Sequence, residues 1–218
     1  MSVNAIILQG PTASGKGTIA RYVRHFGIKC ANISAGNLLH ARSQRCDKLG
    51  LYIGMQQAES QFVDSSVVKE IILEEVKNLH KVGVKFLFLD GYPRNVTQLK
   101  DAIELLKGAA VSRWVLQRPI EWCEEMAFQP DRLDRHDNKG KTLSEVKADV
   151  LKRFQRYLEI EAPTIDSLFE LIPKISSHHF EMGMKKGFDK NEVLSALLKA
   201  GWISREKLAE LQSTASTT

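Results

Sequence analysis

A chain of 218 residues is long enough for one large α/β domain or a core with insertions. Its 43% hydrophobic and 26% charged content is ordinary for a soluble globular protein, and no apolar run approaches the ~18 residues that a membrane span needs. The net charge of +5 arises wholly within residues 1–60, where Lys16, Arg21, Arg24, Lys29, Arg42, Arg45 and Lys48 face only Asp47 and Glu59. That suits a polyanionic ligand, while the lack of an aromatic-interleaved basic run argues against nucleic acid.

Residues 3–9 read as a short, fully buried strand. Gly10-Pro11-Thr12-Ala13-Ser14-Gly15-Lys16-Gly17-Thr18 follows, then a helical pattern over 16–26 that Gly27 stops. Strand, glycine-rich loop and helix form the context of a phosphate-binding loop. The glycines let successive backbone N–H groups turn toward an anion, and the helix adds its positive dipole end. Lys16 supplies a mobile charge, and the Thr18 hydroxyl, one place later than the general pattern has it, can meet Mg²⁺. The plainer alternative is a ligand-free strand–helix turn. Residues 29–33 read as a weak second strand, after which comes Ser34-Ala35-Gly36-Asn37-Leu38-Leu39-His40.

Residues 49–62 complete a small helical insertion. Val68, Ile71, Ile72, Val76 and Leu79 give the next helix its core face. Residues 84–90 form the clearest later strand, ending at Asp90, where ligands gather in parallel sheets. Asp90-Gly91-Tyr92-Pro93-Arg94 and a helix over 95–107 follow, then a strand over 113–117 and a short helix over 120–128. Arg132-Leu133-Asp134-Arg135-His136-Asp137-Asn138 precedes a helix over 145–162, for which Thr142 and Glu145 have capping-box spacing and Val146, Val150, Phe154, Tyr157 and Leu158 form the apolar stripe. A last strand over 178–182 puts His178 and His179 on opposite faces, so they are not a metal pair. Asp189 and Glu192 open a final helix, and Ser204 caps an added one to about residue 211, which either packs Trp202 and Leu208 onto the core or forms an oligomer contact.

Four of these motifs, in order over residues 3–200, resemble those of the adenylate kinase and wider nucleoside monophosphate kinase family. They are the Gly-Lys-Gly-Thr loop, the segment from Ser34 to His40, the Asp-Gly-Tyr-Pro-Arg run and the arginine–aspartate lid. Alternating strands and helices already argue for a three-layer α/β/α fold. The resemblance implies a P-loop fold with a five-stranded parallel sheet in the order 2-3-1-4-5, a helical monophosphate-binding insertion and a short, zinc-free lid. The expected division is a core over 1–33, 65–128 and 145–201, the insertion over 34–64, the lid over 129–144, the added helix over 202–212 and a tail over 213–218.

By this resemblance the chain transfers the ATP γ-phosphoryl group reversibly to a nucleoside monophosphate, with Mg²⁺. Gly10, Ala13, Ser14, Gly15, Lys16, Gly17 and Thr18 would hold ATP, with Thr18 and Asp90 on Mg²⁺, directly or through water. Ser34, Ala35, Gly36, Leu39, His40, Arg42, Gly91, Arg94 and Gln98 would form the acceptor site. Lys16, Arg94, Arg153 and a lid arginine would act in catalysis. Arg135 is the preferred lid alignment and Arg132 the alternative.

Three departures stand out. Asn37 replaces a family Asp, His40 an Arg that grips the monophosphate, and Glu125-Met126-Ala127-Phe128 a turn that usually carries an Arg. Arg42, read as lying at a helix start, or Arg45 could cover for His40; otherwise both lie on a solvated face. Arg153 has the same plainer alternative, beside Lys152 and Arg156. Gln98 favours AMP, unless it is merely a polar residue on an exposed helical turn. Ala35 and Asn95 resemble the UMP/CMP branch, so pyrimidine or deoxynucleoside monophosphates stay open. So does a weakened nucleotide-binding regulator, and last an RNA-associated factor. Cys30, Cys46 and Cys123 form no CxxC pair, fit a reducing, cytoplasmic setting and read as buried, inert thiols. Nucleotides are the expected partners, with no membrane or nucleic acid, and a monomer is the expected state.

Overall fold

The structure, a computed structural model, describes residues 3–59, 61–133, 138, 140–171 and 175–213. Its sheet has five parallel strands: β1 (Asn4–Gln9), β2 (Cys30–Ser34), β3 (Phe86–Asp90), β4 (Val111–Gln117) and β5 (Ser176–Glu181). They lie in the order β2-β3-β1-β4-β5, as the resemblance implies.

Side chains alternate between the faces of a strand, and here both faces are covered. Ile6, Leu8, Phe88 and Trp114 pack with α1 (Lys16–Arg24) on one side. Ala5, Ile7, Leu87 and Leu89 pack on the other with Val68, Ile72 and Val76 of α4 (Ser65–Lys81) and Leu99 of α5 (Val96–Leu105). Between β2 and α4 lie α2 (Ala35–Ser43) and α3 (Lys48–Ala58), in the stretch expected to form the insertion. After β4 come α6 (Ile120–Ala127), the single turn α7 (Pro130–Leu133) and α8 (Leu143–Arg156).

The helix expected over 145–162 differs in two ways. It starts earlier, at Leu143, with Thr142 as N-cap and the Glu145 capping box formed. It also continues past Arg156 through a π-helical turn, Tyr157–Glu161, into α9 (Ala162–Leu171). Pro163 has no N–H to give an α-helical bond, and the Ala162 N–H reaches back to Tyr157 O, closing a wider turn. The proline therefore marks a change of helix type rather than an end. Tyr157 stays buried, but Leu158, expected in the apolar stripe, is exposed.

At the C-terminus, α10 (Lys190–Lys199) has Asp189 as N-cap, and α11 (Arg205–Ser213) follows. Trp202 is buried in the first core face and Leu208 packs against it, which is the first of the two readings of this segment. His178 and His179 alternate between half-buried and exposed along β5. Among the described residues, no helix is long and apolar enough to cross a membrane.

The register levels the strand ends: Asp90 pairs with Leu8 on one side and with Ser34 on the other. The loop after β1, the start of the insertion and the carboxylate of β3 therefore open onto one edge of the sheet.

Candidate active site

A cavity of about 1190 Å³ lies at that carboxyl edge. Gly10 begins the loop after β1 at φ +151°, and a Cβ there would sit 2.8 Å from Leu116 O and 2.7 Å from Ser14 Oγ. Only glycine lets the chain turn this close to β4. Ser14 Oγ is itself buried and has no hydrogen-bond partner among the described residues. The Lys16 Nζ donates to Gly10 O and Pro11 O, both at 2.8 Å. Enclosure lowers the Lys16 pKa, opposed by the carboxylates of Asp90 and Glu161. A partly desolvated ammonium and backbone donors at the start of α1 are what an incoming polyphosphate requires. Ala13, Gly15, Gly17 and Thr18 line the same cavity.

Asp90 lines it too, half-buried at the end of β3. The exposed Thr18 and this carboxylate offer hard oxygen donors, which fits Mg²⁺ held mainly by phosphate oxygens and water.

Arg94 lines the same cavity, and its Nε donates to Gly91 O at 2.8 Å. Gly91 is at φ +74°, and a Cβ would come within 2.5 Å of the Arg94 Nη2, so this glycine makes room for the guanidinium. Gln98 is buried, not on an exposed turn, and its Oε1 accepts the Arg94 N–H at 2.8 Å. That leaves the amide N–H groups of Gln98 to meet a ligand. Ser34, Ala35, Gly36, Asn37, Leu39 and His40 line the cavity from the insertion.

Arg42 is placed differently from the expectation. It sits in the last turn of α2, not at a helix start, and its Nη1 donates to Asp47 Oδ1 at 2.9 Å. Asp47, whose carboxyl this bond holds low, also caps α3 through the Gly50 N–H. Neither Arg42 nor Arg45 is among the lining residues. Arg153 does line the cavity. Arg135 lies outside the described residues, and of Arg132 the structure describes only its backbone, on α7.

The structure brings in three residues that sequence reasoning missed. Arg156 and Glu161 both line the cavity, with Arg156 Nε 3.5 Å and Arg94 Nη1 3.8 Å from the same Glu161 oxygen, Oε1. The signal for Arg156 was its spacing: three residues after Arg153, it shares a helix face with it. The third, Arg118, follows β4. Its Nη1 donates to Met182 O, Gly183 O and Lys185 O at 3.2, 2.8 and 2.6 Å, and its guanidinium lies 3.9 Å over the Trp122 ring. Trp122 Nε1 in turn donates to Ala13 O of the loop. Arg118, Arg21, Trp122 and Phe188 line a second cavity of about 180 Å³ beside the loop. Its position just past a parallel strand, the rule that picked out Asp90, would have found Arg118.

The sequence model described as "Adenylate kinase" matches residues 8–171. An adenylate kinase of Xylella fastidiosa is 30% identical over 165 residues, 73% of this chain and 82% of its own. UMP-CMP kinase 2 of Caenorhabditis elegans is 29% identical over 169 residues, 75% and 81%. An adenylate kinase of Mycoplasmopsis pulmonis is 30% identical over 120 residues, 55% of each chain, so there the match spans about half the relative's length. The family match starts in β1, takes in the phosphate loop, Arg94, Arg153 and Arg156, and ends with α9. The chain belongs to the adenylate kinase family.

Proposed function

We propose that this protein is a nucleoside monophosphate kinase, transferring the ATP γ-phosphoryl group reversibly to a monophosphate, with AMP as the preferred acceptor. The observation that carries this reading is one cavity lined together by Lys16, Arg94 and Asp90.

An oxygen of the acceptor phosphate attacks the γ-phosphorus as the bond to the β,γ-bridging oxygen breaks, giving ADP and a nucleoside diphosphate. The step needs two mutually repelling anions held in line and positive charge on the moving oxygens. Lys16 leaves its two carbonyl partners for the β- and γ-oxygens of ATP. Arg94 holds the acceptor, pre-set by Gly91 and Gln98. Arg153, with Arg135 or Arg132 of a lid over 129–144, neutralises the transition state. Thr18 and Asp90 would hold Mg²⁺, directly or through water, and the ion would supply positive charge to the phosphate oxygens. The Arg118–Trp122 wall receives the nucleoside end of ATP, supplying the cation missing from the turn at Glu125. Lid closure excludes water, a competing acceptor.

Gln98 supports AMP, because its free N–H donors suit a purine ring nitrogen. Asn95, which resembles the pyrimidine branch, uses its Oδ1 to cap α5 at the Gln98 N–H, so its identity has a structural reason. The likeness to a UMP-CMP kinase keeps pyrimidine acceptors as the second reading. We also propose that the chain works as a monomer in the cytoplasm, with nucleotides as its partners.

The test is ADP formation from MgATP with AMP, CMP, UMP, GMP and their deoxy forms. Turnover with AMP well above the rest is expected. In Lys16→Met it should fall at least about a hundredfold with an unchanged circular dichroism spectrum. ATP binding without turnover on any acceptor would instead favour a nucleotide-binding regulator.

A further inference from the structure

The acceptor end of the cavity holds a carboxylate where a substrate anion would be expected. Glu161 Oε1 sits between two guanidinium groups, Arg94 at 3.8 Å and Arg156 at 3.5 Å. The Arg94 distance is too long for a hydrogen bond, and among the described residues the buried Arg156 Nε has no well-aligned one. A single oxygen shared by two arginines is the arrangement that a phosphate oxygen takes in an arginine-built anion site. We propose that Arg156 is a second ligand of the acceptor phosphate, replacing the guanidinium that His40 cannot provide, and that Glu161 competes with the substrate for it.

Four observations support this. First, Arg156 and Arg153 are three residues apart on α8, and both line the cavity. Second, Arg94, Arg153 and Arg156 lie close enough that Arg94 and Arg153 both lower the Arg156 pKa, with burial as the larger cause. Among the described residues, Glu161 opposes them and is the carboxylate that a substrate phosphate would displace. Third, the Arg156 guanidinium lies 4.9 Å over the ring of Phe62, at the exit of the insertion. That contact fixes its plane and leaves its edge for the ligand. Fourth, the π-helical turn Tyr157–Glu161 starts directly after Arg156 and ends at Glu161. By widening the backbone there, it lets the two residues meet across one turn.

The assignment rests on the kinase reading for the identity of the ligand but not for the existence of the anion site. Binding and turnover therefore separate the two. Calorimetric titration of the full chain with AMP, CMP and UMP gives the affinity without chemistry. For the monophosphate that wild type binds best, Arg156→Met should raise the dissociation constant about tenfold to a hundredfold, with ATP affinity unchanged as the control for folding. Arg156→Lys should recover part of the loss, because it restores charge but not the fork. Glu161→Gln should bind the monophosphate more tightly than wild type. In turnover, Arg156→Met should raise the acceptor KM more than it lowers kcat. Wild-type affinity in Arg156→Met would overturn the proposal and leave the kinase reading standing. Weaker binding in Glu161→Gln would overturn the competition. A wild type that binds a monophosphate and loses it with Arg156, yet turns nothing over, would support Arg156 and remove the kinase reading.

Discussion

Cys30, Cys46 and Cys123 carry the same thiol in three environments. Cys123 is fully buried on α6, and burial pushes its pKa up to about 11. Cys30, at the start of β2, is buried and likewise raised. Cys46 is exposed in the connection between α2 and α3, which corrects the expectation that all three are buried. Since the thiolate is the reactive form, native protein at neutral pH should release one equivalent of thionitrobenzoate rapidly from an aromatic disulfide reagent, and three after unfolding. Cys46→Ser should abolish the fast phase. Cys46 was misread because it sits between Arg45 and Asp47, in a stretch with no apolar periodicity from which burial could be read. The catalytic candidates divide the same way. Lys16, Asp90 and Arg94 were legible because the backbone around them needs a particular local sequence. Arg156 offered only its spacing from Arg153, because its place depends on Phe62, Glu161 and Arg94, which are distant in the chain or hidden beyond an unforeseen helical turn.

At the scale of elements, caps were the most legible features, because a cap is a contract between residues three apart. Thr142 Oγ1 accepts the Glu145 N–H at 3.3 Å, and the Glu145 carboxylate accepts the Thr142 N–H at 2.7 Å. Thr142→Ala leaves the first turn of α8 with an unpaired donor and should lower stability by about 1 kcal/mol. In a chain of this size that is a drop in Tm of about 2–4 °C, readable by differential scanning calorimetry, with Thr142→Ser near wild type. A shift of that size with unchanged kcat would show that the cap anchors the helix without setting its arginines. What sequence did not show was the far end of the same helix. Pro163 has two outcomes, termination or a π turn, and the choice depends on tertiary packing: Ile165 of α9 is buried against the second core face.

For the whole molecule, the sheet order followed from the family resemblance rather than from strand patterns, since a buried parallel strand is apolar throughout and carries no mark of its neighbours. The C-terminal segment had no such guide. Trp202 settles its place: it lies 4.8 Å from both Phe86 and Phe88, and so ties the added helix to the strand that ends in Asp90. Removing it should cost the whole fold rather than one helix. Trp202→Ala should lower unfolding free energy by about 3–5 kcal/mol, as truncation of a buried aromatic does, seen as a fall in denaturant midpoint. Trp202→Phe should cost much less. It keeps the ring contacts, and the indole Nε1 that it removes is buried with no hydrogen-bond partner among the described residues. If α11 served instead to join two copies, Trp202→Ala would change sedimentation with protein concentration and leave the midpoint where it was. The burial of Trp202 among Phe86, Phe88 and Leu197 predicts the opposite: a lower midpoint and the same sedimentation at every concentration.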